Sequence, residues 1–248
     1  MRIINEPQHL PDGTANPLWL AARAGKFSGS DFHQYLSIVK KGELSDTAES
    51  NLYKKVLESV GYDCGETYRS EAMEHGNELE PLARQEYIEQ TFNDVQEVGF
   101  VDWEKLRAGC SPDGVIYDEM AFMDDEAHWV FDKQTGTPKP IKDRPEIVVA
   151  KTNDIKKIIE IKCCEVKNYL RMAQDVKKIP PVYQTQMQFN MLITGAESCD
   201  FVLYHPDMKL VVHEIAADSE YQEQIVAALE KLNARYDEIL GEIETYKK

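Results

Sequence analysis

The stretch Lys157-Ile158-Ile159-Glu160-Ile161-Lys162-Cys163, KIIEIKC in one letter, has the apolar density of a buried β-strand with a carboxylate and an ammonium set among its isoleucines. Each charge is expensive to desolvate. Alternate side chains of a strand share a face, so Glu160 and Lys162 are expected to point one way and Ile159, Ile161 and Cys163 the other. Neighbours on one face lie roughly 7 Å apart, too far for a direct ion pair unless the side chains lean together. The pattern therefore reads as one packing face and one chemical face. Its two charges serve a third party: a metal for the carboxylate, a water or phosphate oxygen for the ammonium.

A second carboxylate comes from Ser111-Pro112-Asp113-Gly114, a turn signature at the mouth of a neighbouring strand. Asp-Gly alone is usually a turn and nothing more; a later Glu-x-Lys on a strand changes its weight. Asp and Glu oxygens are the hard ligands that Mg²⁺ or Mn²⁺ prefers, and divalent ions held by carboxylates activate water against phosphodiesters.

The rest of the chain fits an α/β protein. At 248 residues and 42% hydrophobic content, a single domain over residues 1–248 with a sizeable core is expected. No run approaches 18 apolar residues, and MRIINEPQHL lacks the basic and apolar regions of a signal peptide, so a cytoplasmic protein without a membrane partner is expected. Five cysteines without a CxxC pair argue against a disulfide framework or a thiolate metal site. The histidines show no ligand spacing, and only His75, near Glu80, stands close to a candidate residue. A net charge of −16 would ordinarily speak against nucleic acid. The charge is segregated, however: Lys151 to Lys178 carries about +4 and the remainder about −20, and the basic window contains KIIEIKC.

Residues 17–36 read as two helices parted by Gly25, the second capped by Ser30 or Asp31. Tyr68 to Phe92 is helical, with Pro81 starting its second part or kinking it after Glu80. VGFVDW and the stretch around GVIYD are strands. Residues 119–154, rich in charge, Pro and Gly, form a hairpin-like insertion with candidate strands at HWVFD and EIVVA. After KIIEIKC comes a helix introduced by Pro180 and Pro181 and ended by Gly195, then strands CDFVLYH and KLVVHEIA. Residues 218–248 form a long C-terminal helix, opened by the capping box Ser219-x-x-Gln222. Its stripe of Ile225, Leu229, Leu232, Tyr236, Ile239 and Ile243 is expected to pack on the protein's own sheet, a subunit contact being the alternative. This order of elements indicates a central mixed β-sheet flanked by helices.

Asp113, Glu160 and Lys162 match the D-x(n)-E-x-K core of the PD-(D/E)xK nuclease superfamily, with Pro112 also in place. Further blocks, WLAARAGKFSGS, HGNELEPLARQEY, SPDG, IEIKC, YQTQMQ and LYHPDMK, occur in order from Trp19 to Lys209. Through them the chain resembles the phage lambda exonuclease and YqaJ-type viral recombinase family. The resemblance implies a restriction-endonuclease-like core and a metal-dependent 5′-to-3′ exonuclease acting on double-stranded DNA ends. Two Mg²⁺ or Mn²⁺ ions would be held by Asp113, Glu160 and the Ile161 carbonyl, with Glu80 assisting directly or through water, and Lys162 would polarise the attacking water. Arg23 and Ser30 would hold the terminal 5′-phosphate. The first Gln of the QxQ would join that site or the catalytic centre; alignment on the Tyr selects Gln186, with Gln188 beside it. A homotrimer around DNA and a single-strand annealing protein as partner are also implied. The separation of Asp113 and Glu160, 47 positions, exceeds the family's usual hairpin, and the 119–154 insertion accounts for it.

Each role has a plain alternative. Arg23 would be a surface helix residue, Ser30 a helix cap, and Glu80 the partner of Arg84 one turn on. The glutamines would form an exposed helix face, on which Gln184 and Gln188 share a side that Gln186 does not. At the level of function, the alternatives are an endonuclease on the same scaffold and a non-catalytic DNA-binding module.

Overall fold

The structure, a computed structural model, describes residues 2–10, 13–62, 64, 71–117, 129–131, 138–140 and 155–247. β1 (Arg2–Ile4) leads into α1 (Pro17–Arg23), whose Asn16 cap accepts the Leu18 N–H and whose first turn carries Pro17. There follow β2 (Phe27–Ser28), α2 (Gly29–Phe32), α3 (Ser37–Lys41) and α4 (Asp46–Ser59). The N-cap of α2 is Ser28, and Ser30 and Asp31, expected as caps, lie inside its single turn. α5 (Glu71–Thr91) runs on through Pro81, where one main-chain hydrogen bond is lost without ending the helix. The expected helix start at Tyr68 lies outside the described residues.

Next come β3 (Phe100–Trp103), β4 (Ala108–Cys110) and β5 (Gly114–Tyr117). β6 (Trp129–Phe131) and β7 (Pro138–Pro140) pair antiparallel, as a hairpin within the insertion should, while the strand expected at EIVVA lies outside the described residues. β8 (Ile155–Cys163) is the strand of the opening motif. It leads to α6 (Val166–Ala173), α7 (Pro181–Thr194), β9 (Ser198–Tyr204), β10 (Val211–Ala216) and α8 (Ser219–Tyr246). The cap of α8 is Asp218, which accepts the Tyr221 N–H, so the chain uses the residue before the expected Ser219. Among the described residues no helix is long and apolar enough to cross a membrane.

The expected mixed β architecture flanked by helices is present, built as two four-stranded mixed sheets. One has the order β1-β3-β4-β2 and the other β10-β9-β8-β5, in which β8 and β9 are parallel and the remaining pairs antiparallel. The short strands β1, β2 and β4 carry too few residues to show a period in the sequence. β8 is buried on both sides. Ala83 and Tyr87 of α5 cover Ile159 and Ile161, while Ile158, on the Glu160 side, packs with Met187 and Met191 of α7. The stripe of α8 is buried within the chain, mostly against α3, α4 and α7, with Tyr236 also meeting Phe27 of β2 edge to face at 6.3 Å. Phe27, Phe32, Tyr35 and Phe189 complete that core, the Phe27 and Tyr35 rings meeting edge to face at 5.5 Å.

Candidate active site

β5 begins opposite the middle of β8, leaving the strand beyond Ile159 unpaired by β5. Gly114 pairs with Ile159, and the Asp113 side chain then bends over the next stretch of β8, its Oδ2 accepting the Ile161 N–H at 2.6 Å. Asp113 is thereby fixed at the sheet edge. Glu160 points to the α7 side of β8 and is fully buried. Its Oε1 accepts from Lys162 Nζ at 2.6 Å, and its Oε2 from Asn190 Nδ2 at 3.2 Å. The two charges do lean together, correcting the expectation that same-strand spacing keeps them apart: the lysine's four-carbon stem spans the gap. The Lys162 ammonium also lies 5.0 Å from the centroid of the Tyr183 ring, a cation–π distance.

Glu80 arrives from the opposite side of β8, one helical turn before Ala83. Its Oε1 accepts from the Arg84 guanidinium at 2.5 Å, the helix pairing named above as a plain alternative. Arg84 is more than a surface partner. It is buried, its Nε donates to the main-chain carbonyl of Asp113 at 2.9 Å, and a third nitrogen meets Glu97 at 3.0 Å. One guanidinium thus sets Glu80 against Asp113. These residues border a cavity of about 380 Å³, also lined by Asn5, Gln8, Asn77 and Ser111.

The electrostatics follow from crowding negative charge in a dry place. Burial, then the Asp113 charge, raises Glu80 to about 8 against the opposing pull of Arg84. Burial raises Glu160 to about 7; Lys162 opposes the shift and Asp113 adds to it. Asp113 is likewise raised by burial. Burial works against the Lys162 charge but is outweighed by Glu160 and Asp113, so its pKa goes up and it stays an ammonium.

Among the described residues no three such ligands already stand together at metal-binding distances. The donor set nonetheless suits a hard divalent cation. Asp113 and Glu160 raise the pKa of Glu80, Asp113 raises that of Glu160, and Asp113 Oδ1 and Glu80 Oε2 have no partner among the described residues. A bound cation would relieve that repulsion. The sign can be checked without one. The native state holds protons on Glu80 to a higher pH than the unfolded chain does, so stability falls as pH rises from about 4.5 to about 8. Glu80→Gln removes this cost. In EDTA, its melting temperature minus that of the unsubstituted protein should therefore climb between pH 5 and 8.5, and a flat difference would count against the geometry.

A second cluster lies where α1 meets α2. The Arg23 guanidinium is 4.7 Å from the Trp19 ring centroid and 3.5 Å from Ser28 Oγ, and that hydroxyl lies 3.4 Å from Ser30 Oγ and 3.2 Å from Asp31 Oδ1. Trp19 is anchored in turn by its indole N–H, which reaches Gly99 O and Ser111 Oγ, both at 3.1 Å. α7 packs closely here: a Cβ on Gly29 would collide with the Asn190 side-chain oxygen and come within 3.1 Å of the Gln186 carbonyl. Gln186 therefore lies beside the serines, its side chain without a partner among the described residues. Asn190 joins the two clusters, one end against Gly29 and the other on Glu160. Gln188 does not belong with them. Its amide donates to Ala216 O and accepts from Asp218 N, both at 2.9 Å, so it braces the turn into α8 and is corrected from a phosphate candidate to a structural residue. Arg84, Asn190 and Tyr183 were not singled out for the site by the sequence; only the position of Arg84, four residues after Glu80, carries a local signal.

The two-sheet α/β fold is shared with solved exonucleases. An alkaline exonuclease from Laribacter hongkongensis superposes with a TM-score of 0.63 at 24% identity, covering 94% of this chain and 100% of that one. Its complex with dAMP gives 0.64 over the same shares. A phage-related exonuclease from Haemophilus somnus 129PT gives 0.58 at 18% identity, over 88% of this chain and 96% of that one. The chain belongs to the family of the YqaJ-like viral recombinase domain, whose sequence profile matches residues 18–197. No curated protein matches it.

Proposed function

We propose that the protein is a divalent-metal-dependent exonuclease that degrades the 5′-ended strand of duplex DNA from an end and leaves a 3′ single-stranded tail. The observation that carries this reading is the pair of linked clusters: the carboxylates and lysine at the end of β8, and the arginine and serines that Asn190 ties to them through Gly29. Membership of the viral recombinase family and the fold shared with alkaline exonucleases support it.

In this reading Asp113, Glu160, Glu80 and the Ile161 carbonyl hold Mg²⁺ or Mn²⁺, which supplies Lewis-acid charge to the attacking water and the leaving 3′-oxygen. Lys162, charged and held by Glu160, points its remaining N–H donors at the water and a scissile-phosphate oxygen. Arg84 keeps Glu80 and the Asp113 backbone at a fixed separation. Arg23 offers a planar fork to the terminal 5′-phosphate, with Ser28 and Ser30 as hydroxyl donors and Gln186 adjacent. The family resemblance extends the proposal to a trimer around the duplex and to work beside a single-strand annealing protein in the cytoplasm of a phage-bearing bacterium.

The test is end dependence. In Mg²⁺ a linear duplex bearing 5′-phosphates should be digested from its ends, a covalently closed circle should stay intact, and EDTA should stop the reaction. Cutting of the circle would replace this reading with an endonuclease, and a wild type without metal-dependent digestion would leave a DNA-binding module. Arg23→Ala should shrink the preference for a 5′-phosphate over a 5′-hydroxyl end by roughly ten- to a hundredfold, the worth of a charged hydrogen-bonding contact.

A further inference from the structure

Between Cys163 and Pro181 the chain leaves the sheet at Lys162 and comes back to it. It departs by continuity, since α6 begins three residues after Cys163. It returns through Tyr183, whose ring lies 5.0 Å from Lys162 Nζ. The excursion is firmly seated: Tyr169, Met172 and Ile179 are buried in the core beneath it, and the Tyr169 hydroxyl donates to Lys209 O. Its outer side has one sign of charge. Lys167, Leu170, Arg171 and Gln174 follow the i, i+3, i+4, i+7 spacing of one helix face and are all exposed, and Lys177 and Lys178 stand exposed in the 3₁₀ turn that follows. Its acidic residues sit at the corners. Glu165 is the N-cap position of α6, and the Asp175 carboxylate accepts the Lys177 N–H. No ion pair with a described residue neutralises the four cations.

A solvated basic face on an amphipathic helix is common in a neutral protein. It is unusual where the chain as a whole carries −16 and acidic partners abound. Four cations without an ion pair among the described residues, on a well-seated excursion bracketing Lys162, match a polyanion that must pass that lysine. Lys167 and Arg171, four residues apart, are separated by about 6 Å along the helix. Two base-pair steps advance the phosphates of one strand by about 7 Å.

We infer that residues 164–180 form a track for the phosphate backbone of duplex DNA, with Lys167, Arg171, Lys177 and Lys178 as its contacts. This rests on the nuclease reading of the site and adds the surface that holds the duplex behind its end. The experiment measures binding of a blunt fluorescent duplex by anisotropy in Ca²⁺ or EDTA across a series of salt concentrations. The variant is Lys167→Gln, Arg171→Gln, Lys177→Gln and Lys178→Gln together. Each phosphate contact contributes about 0.9 to the slope of log K against log salt, so the slope should fall by about 3 to 4, with at least tenfold weaker binding near 0.1 M salt. A control with the same change in net charge, Lys54→Gln, Lys105→Gln, Lys156→Gln and Lys247→Gln, should keep the parent slope. Equal losses in both variants would reduce the effect to net charge and overturn the track, as would an unchanged slope in the first. A wild type that binds duplex with the expected slope yet never digests it would keep the track and defeat the nuclease reading instead.

Discussion

Lys162→Ala is expected to lower the single-turnover rate of duplex digestion by about 10³-fold while leaving affinity for the duplex in Ca²⁺ little changed. The expectation follows from where the ammonium sits. Its Nζ is 2.6 Å from Glu160 and faces the Tyr183 ring, and its charge is favoured by Glu160 and Asp113 over the cost of burial. A group held as a cation cannot take a proton from water. Its contribution is direction and charge, both realised fully only as negative charge grows on the phosphate, so its removal should appear in the rate and not in binding. The fold should survive, because Glu160, already raised to about 7, can take up a proton when its partner is lost and avoid standing as a bare buried charge. Glu160→Ala should be as damaging for a different reason, the loss of a hard oxygen ligand, and the double variant should lose little beyond either single one. A Lys162→Ala protein that keeps a tenth of the parent rate, measured by rapid quench, would remove this lysine from the chemistry.

Lys162 and Glu160 were legible in the sequence as candidates because two charges stand out inside an isoleucine run. Their mutual geometry was not. Alternation tells which side chains share a face of β8, but not that the lysine stem bends back along the strand to close the ion pair. Nor does it tell what covers that face. Ile158 lies on the same side as Glu160 and is fully buried, so the candidate site takes up only the end of a face that is otherwise core. The carboxylates Asp113 and Glu80 could be named from local motifs, one in a turn and one on a helix. Residues that act by joining distant segments could not: Arg84 reaches the Asp113 carbonyl across 29 positions, and Asn190 reaches Glu160 across 30. The stripe of α8 was correctly read as buried, but a heptad-like stripe records only that something apolar lies opposite; here that is mostly helix, with Phe27 of β2 against Tyr236. Gln188 was drawn to the phosphate cluster by its neighbour in sequence, although a helix turns the side chains of residues two apart to different sides.

Asp200→Ala should lower the melting temperature by about 10 °C. Asp200 lies in β9 beside β8, is 4% exposed, and accepts from the Tyr87 hydroxyl at 2.6 Å and from Lys157 Nζ at 2.9 Å. It thereby fastens α5 and β8 to the same point. Removing one member of a buried charge pair costs about 3–5 kcal/mol, and each kcal/mol moves the midpoint of a chain this size by roughly 2–4 °C. The lower part of that range applies, because Lys157 retains Glu214; the Tyr87 hydroxyl still accepts from the Asn93 amide at 2.9 Å but loses the acceptor of its own proton. Tyr87→Phe isolates one half of the arrangement. It leaves the Asp200–Lys157 pair intact and should cost only about 1–2 kcal/mol, a few degrees by thermal unfolding. The two variants should also differ in activity well below their melting points. Tyr87 sits on α5 two turns beyond Glu80, and Ile159 and Ile161 lie beneath that helix, so freeing it from Asp200 loosens the carboxylate that Arg84 holds against Asp113. Digestion by Asp200→Ala at 25 °C should fall by less than that of Lys162→Ala, and raised Mn²⁺ should restore part of it, because a mispositioned ligand weakens metal affinity before it abolishes the chemistry. If the melting temperature of Asp200→Ala stays within about 3 °C of the parent, the link between α5 and the catalytic sheet lies in the apolar contacts of Ala83 and Tyr87 alone.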